Sequence, residues 1–254
     1  MCRMIAKASI QETSVMDEML NCPYSLQYLS AHGRQPDDPS KRGHHRDGCG
    51  MAFIHHDTTE IHKRDREHAW DDSYIQTVKE ARSKLFIAHN RLASAGLESG
   101  AKASHPFEIF AQGSMYAFSH NGTIYNFVDE AKKRNTSDSF IFLEHLISKT
   151  EPNDDEAVIK RIITLAQSSE YSSMTAFLLA PDHLMIWRIF NEKDKAKLRK
   201  RILYYTMYMK LSKNNIVFSS EPLDDDGWTL MPENSFISVK PSGSHLQMNY
   251  RLLF

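Results

Sequence analysis

Cysteine is the second residue of this 254-residue chain, directly after the initiator methionine. Methionine aminopeptidase trims Met1 before a small residue, so Cys2 can become the amino terminus itself. One residue would then carry both a thiol and a free α-amine. An amine beside a nucleophilic side chain acts as its general base, as it does for N-terminal threonine nucleophiles. The two groups titrate at about 8.5 and about 7.7–8.0, both near neutral pH. The chemistry on offer is covalent catalysis by a terminal thiolate. Position 2 taken alone is more often an ordinary cysteine, and the rest of the chain has to decide.

A terminal nucleophile needs a strand or loop that carries it to other polar groups. Residues 2–9 read as a first strand, and Ser14 opens one or two helical turns over 14–20. Residues 31–47 are polar, with Gly33, Pro36, Pro39 and Gly43, and read as a surface loop of functional length. Residues 51–56 and 58–64 read as a strand hairpin. Residues 71–83 have the amphipathic spacing of a helix with acidic residues at its start. Residues 84–90 form a short apolar run, a buried strand, and 115–119 form another that runs into His120-Asn121-Gly122. Residues 138–149 and 154–167 repeat apolar side chains at helical spacing, the first capped by Thr136, Ser137 or Asp138. Strands are expected at 175–181, 184–190, 202–209, 215–220, 235–239 and 245–252. They are interrupted by a basic stretch at 193–201 and a turn at 224–227. Strands at both ends and helices between them predict one mixed α/β domain over 1–254, with antiparallel sheets and helix layers.

Composition excludes several classes. A net charge of −1 makes no electrostatic case for nucleic acid or a membrane surface. Hydrophobic residues at 41% and charged residues at 25% are ordinary for a soluble domain. No apolar run approaches the roughly 18 residues of a membrane span, and the first residues lack the apolar core of a secretory leader. Cys2, Cys22 and Cys49 are too few for a disulfide framework. A cytoplasmic protein is expected.

Four stretches then stand out together: Met1-Cys2-Arg3-Met4, the segment 87–94 around His89-Asn90-Arg91, the segment 118–124 around His120-Asn121-Gly122, and Thr136-Ser137-Asp138-Ser139. With them come His45-Arg46-Asp47-Gly48-Cys49-Gly50, His105-Pro106-Phe107, Ser220-Glu221-Pro222-Leu223 and Trp228. In order and spacing these resemble the class II glutamine amidotransferases, and most closely their short stand-alone members. That family of N-terminal-nucleophile hydrolases includes the glutaminase domains of asparagine synthetase and glutamate synthase. The resemblance covers nearly the whole chain. It implies an α+β fold, a four-layer αββα sandwich of two antiparallel sheets. It also implies a substrate that is glutamine or a γ-glutamyl compound, and no cofactor.

Within that resemblance Cys2 attacks the γ-amide and forms a γ-glutamyl thioester, which water resolves to glutamate. Arg91 suits the α-carboxylate, because a guanidinium presents a planar two-donor fork. Asp138, near a helix start, suits the α-ammonium. The Asn121 side-chain amide and the Gly122 N–H suit an oxyanion hole. Ser94 is placed in the glutamine-binding loop. By residue type alone, Arg91 is also an ordinary surface arginine, Asn121-Gly122 a hairpin turn and Asp138 a helix cap. His89, His105 and His120 read as scaffold, and Asp47 with its glycines as the shape of a loop near the pocket.

Two versions of the activity follow: ammonia supply to a separate synthetase, or cleavage of a larger γ-glutamyl compound. A reading of another class is a binding or regulatory protein that keeps the fold without the chemistry. The histidines crowded into 44–68 raise a metal site, but no zinc-type spacing accompanies them. His55 and His56, on a strand, would face opposite sides. No metal is expected.

Overall fold

Residues 2–9 are buried without interruption, so the strand that follows the nucleophile is covered on both faces. The structure, a computed structural model, describes residues 2–93, 100–148, 150–191 and 202–254. Strand β1 (Arg3–Ser14) is followed by a π-helical turn (Asp17–Asn21). Helix α1 (Leu26–His32) comes next, its start capped by the Ser25 side chain, which accepts the Tyr28 N–H. Short strands β2 (Gly33–Arg34) and β3 (Arg42–Gly43) pair across the polar loop. β4 (Gly48–His55) and β5 (Thr58–Asp65) form the expected hairpin. Helix α2 (Asp72–Glu80), capped by Asp71, leads to β6 (Arg82–Asn90).

The second half of the chain begins with the hairpin of β7 (Phe107–Ala111) and β8 (Ser114–Asn121). Helices α3 (Tyr125–Lys133), α4 (Asp138–Ile147) and α5 (Asp155–Ser168) follow. The remaining strands are β9 (Thr175–Leu179), β10 (Leu184–Arg188), β11 (Tyr208–Leu211), β12 (Asn215–Ser219), β13 (Thr229–Leu230), β14 (Ser235–Ser242) and β15 (His245–Leu252).

These strands make two large antiparallel sheets, in the orders β13-β11-β12-β1-β6-β4-β5 and β15-β14-β10-β9-β8-β7. Successive side chains of a strand point to opposite faces, and here the two faces feed two different cores. Met4, Ala6 and Ala8 of β1, with Leu85 and Ile87 of β6, meet Ala117, Phe177, Leu184 and Ile186 of the other sheet. Ile5, Phe86 and Ala88 point the other way, onto Leu26, Leu29, Tyr74 and Val78 of α1 and α2. On the far side, Phe118, Leu178 and Trp187 pack against Phe142, Leu146, Val158 and Ile162 of α4 and α5. The layers therefore run helix, sheet, sheet, helix, as expected. Buried on both faces, the central strands read as apolar runs without polar alternation.

The structure departs from expectation in several places, among them the strand β7, where no strand was expected. Helices α1 and α3 lie where no helix was expected; both are short and begin beside turn-forming residues that mask their periodicity. Of the strand expected over 202–209, only the part from Tyr208 pairs. His56 leaves the strand with φ 47°, and its ring lies 4.1 Å from that of His55 rather than on the opposite face. The β4–β5 turn, not strand alternation, sets that pair. The basic stretch 193–201 lies outside the described residues. Among the described residues no helix is long and apolar enough to cross a membrane.

Candidate active site

The nucleophile is placed by strand register. Arg3 pairs with Asn90 and Met4 with His89. Met4 faces the other sheet, so alternation turns both Cys2 and His89 into the space between the sheets at their end. In the facing sheet Ala117 points inward and Phe118 towards the helices. The same alternation sends His120 to the helix side and Asn121 inward, opposite Cys2. The Cys2 backbone nitrogen donates to Asn121 Oδ1 at 2.9 Å, a buried bond between residues 119 apart in sequence. An N–H donor requires an oxygen acceptor, which fixes the amide's orientation. Asn121 Nδ2 then points away, buried and without a hydrogen-bond partner among the described residues.

Asn121-Gly122 is no hairpin turn, because β8 runs on through a bend into α3. Gly122 is packed so tightly that a Cβ there would lie 1.9 Å from the Ser173 carbonyl oxygen. Asp138 is no helix cap either. Ser137 caps α4 by accepting the Ser139 N–H. This leaves Asp138, 2% exposed, to accept the Ile124 N–H through Oδ2 at 2.8 Å. His120 is held by Ser139 Oγ at 2.8 Å and the Ser173 carbonyl at 2.9 Å.

A pocket of about 20 Å³ is lined by Cys2, Arg91, Leu92, Ala93, His105, His120, Gly122 and Ser137-Asp138-Ser139. Cys2, Arg91, Gly122 and Asp138 thus meet, and Asn121 joins them through its bond to the Cys2 nitrogen. Ser94 lies outside the described residues, and nothing is assigned to it. Larger clefts exist elsewhere, one of about 370 Å³ near Tyr24, Arg34 and Arg42, but they hold neither the thiol nor Asp138.

Burial works against the Cys2 thiolate. The charge of His89 is the largest of several effects that outweigh it, and the thiol is lowered to about 6. Burial pushes Cys22 up to about 11 and Cys49 up to about 12. His89, read from sequence as scaffold, is therefore part of the nucleophile's electrostatics. Its Nε2 reaches the His120 carbonyl at 3.4 Å, joining the two sheets.

Arg91 is positioned by the glycine-rich loop. Its N–H donates to the Gly48 carbonyl, and the Asp47 N–H donates to its carbonyl. Asp47 Oδ2 accepts the Ala93 N–H at 2.7 Å, so this loop holds the segment after β6 at both ends. Behind Cys2, Arg3 is fully buried and pairs with Glu221 at 3.2 Å, which also binds Arg34 and Arg42. Burial, then the Arg3 charge, lower His45 to about 2. The neutral ring accepts the Arg3 Nε–H at Nε2 and donates from Nδ1 to the Gly43 carbonyl. Sequence reading found these motifs without finding that they clamp the residue next to the nucleophile. Their only signal was a basic residue at position 3 and an isolated acid beside a proline at 221. Among the described residues no group of three or more His, Cys, Asp and Glu side chains is placed to hold a metal ion.

Comparison with known proteins decides the family. The sequence profile described as "Glutamine amidotransferases class-II" matches residues 19–188, more than half of the chain. The chain belongs to the class II glutamine amidotransferases. The uncharacterized protein MJ1515 of Methanocaldococcus jannaschii is 23% identical over 248 residues, which are 82% of this chain and 64% of that protein. Among solved structures, the glutamine phosphoribosylpyrophosphate amidotransferase of B. subtilis superposes with a TM-score of 0.63 at 13% identity, over 100% of this chain and 49% of its own. A glutamine aminotransferase class-II domain protein from Silicibacter pomeroyi gives 0.60 at 15% identity, over 99% of each chain. A predicted glutamine amidotransferase from Pseudomonas aeruginosa gives 0.58 at 17%, over 96% and 98%. The chain thus spans less than two thirds of MJ1515 and about half of the B. subtilis enzyme. At these identities the likeness establishes the fold, that of the N-terminal-nucleophile hydrolases.

Proposed function

We propose that this class II amidotransferase hydrolyses a γ-glutamyl amide through Cys2. The observation that carries the reading is the bond from the Cys2 nitrogen to Asn121 Oδ1, at a pocket shared with Arg91, Gly122 and Asp138. Once Met1 is removed, that nitrogen is an α-amine held beside its own thiol. The amine takes the thiol proton, and the sulfur attacks the γ-carbonyl carbon. The amide oxygen gains charge opposite Asn121 Nδ2 and the Gly122 N–H. One such donor lowers the barrier by about 2.7–4 kcal/mol. The ammonium returns its proton to the leaving nitrogen as the C–N bond breaks, and a γ-glutamyl thioester remains. Water, deprotonated by the same amine, frees glutamate. Arg91 takes the α-carboxylate and Asp138 the α-ammonium. The cavity is smaller than a glutamyl group, so binding on this reading moves its lining.

The leaving group is ammonia, passed to a separate synthetase, or a larger amine in a dedicated hydrolase of the cytoplasm. The test is glutamate release from glutamine and a panel of γ-glutamyl amides, with intact mass to report on Met1. Cys2→Ala should abolish release while preserving the circular-dichroism spectrum. Full release by Cys2→Ala would overturn the reading. No release by wild-type protein lacking Met1 would favour a regulatory subunit that keeps the fold without the chemistry.

A further inference from the structure

His105 has no part in the mechanism above, yet it lines the same pocket as Cys2, Arg91 and Asp138. The side chain is 3% exposed. Neither ring nitrogen has a hydrogen-bond partner among the described residues. Buried polar side chains are nearly always paired, and each exception calls for an explanation. Packing alone does not provide one, although the ring is well packed. It lies 4.1 Å from the His89 ring and 4.5 Å, edge-on, from Phe107. A phenylalanine would fill that space without stranding two nitrogens.

The surroundings indicate what is missing. After burial, the influences that hold His105 neutral, well below its usual range, are the charges of His89, His120, Arg91 and Lys63. All four are basic. A neutral imidazole carries one N–H donor and one lone pair, and His105 lines a pocket whose surrounding charges on it are basic, which favours an anionic group there. Of the polar groups on a γ-glutamyl substrate, the ammonium is answered by Asp138 and the developing oxyanion by Asn121 and Gly122. The α-carboxylate has two oxygens, and Arg91 lines the same pocket as His105 and is among the charges that act on its ring. The backbone at His105 packs tightly on β4, since a Cβ on Gly50 would lie 2.4 Å from the His105 carbonyl oxygen.

We propose that His105 is a substrate-binding residue that donates a hydrogen bond to the α-carboxylate of the glutamyl group, beside Arg91. The proposal rests on the γ-glutamyl reading of this site and adds a residue to its specificity.

The test compares wild type with His105→Phe, which keeps the ring packing and removes both nitrogens, and with His105→Gln, which restores a donor. Turnover is measured on glutamine and on its α-carboxamide, which lacks the carboxylate charge. Hydrogen bonds to charged groups imply a rise in KM for glutamine of about 10- to 100-fold in His105→Phe. The turnover number should stay within a few-fold, the α-carboxamide should lose little, and His105→Gln should regain part of the loss. An unchanged KM, an equal loss on both substrates, or a fall in kcat alone would overturn the assignment. Calorimetric titration of L-glutamate into the same proteins separates this proposal from the one it rests on. Glutamate binding weakened by His105→Phe in a protein without turnover would sink the hydrolase and keep His105. Wild-type turnover with unchanged glutamate affinity in His105→Phe would do the reverse. No binding of glutamate to wild type would overturn the role of His105.

Discussion

A thiol reacts as its anion, so the three cysteines of this chain should differ in reactivity by position alone. Cys2 is lowered to about 6, with His89 the largest favourable influence against burial, while Cys22 and Cys49 are raised to about 11 and 12. The anion is the deprotonated form, so a lowered value means thiolate present above pH 6 and lost below it. Iodoacetamide at pH 7 should therefore modify Cys2 first, with a rate that falls as pH drops through about 6. Peptide mass mapping reads the site and the midpoint. His89→Gln should move that midpoint upward by a unit or more. A midpoint unmoved by the substitution would show that His89 is only scaffold.

At the scale of elements, the junction of β8 with α3 carries the most strain on sequence choice. Gly122 follows Asn121 at the end of the strand and lies against Ser173, just before β9. Gly122→Ala would drive a methyl group into the Ser173 carbonyl oxygen, and backbone cannot yield as a flexible side chain does. A loss of about 1–3 kcal/mol is expected, as for overpacked sites, read as a lower urea midpoint at unchanged slope. Glutamate release should fall further than stability does, because Asn121 shifts with its neighbour. The sequence shows an Asn-Gly pair in either case. Whether the pair turns a hairpin or ends a strand beside a helix depends on where β9 and α3 pack, and those are distant contacts.

Across the whole molecule, residues more than 200 positions apart lock the nucleophile's strand. The Met4 N–H donates to Ser220 Oγ, the Ser220 N–H donates to the Met4 carbonyl, and buried Arg3 pairs with buried Glu221. Removing one member of a buried ion pair leaves the other charged and uncompensated, at a cost of about 3–5 kcal/mol. Glu221→Ala should therefore lower stability by that amount in chemical denaturation. An effect below 1 kcal/mol would mean that Arg3 finds other partners.

The four-layer stacking was legible only through the family resemblance; the chain by itself determined the apolar runs, and with them the main strands and the helices α4 and α5, because periodicity is a local property. The types and order of Cys2, Arg91, Asn121-Gly122 and Asp138 were legible for the same reason: residue chemistry is written one letter at a time. Tertiary structure alone decided which reading of each letter applies. Ser137 takes the cap and leaves Asp138 facing the pocket; Asn121 meets the Cys2 nitrogen because two strands of different sheets end together. His89 and His105 became part of the site only when pairing brought β1, β6 and residue 105 around one cavity. Electrostatic influence and unmet hydrogen bonds depend on distance in space, which sequence separation does not measure.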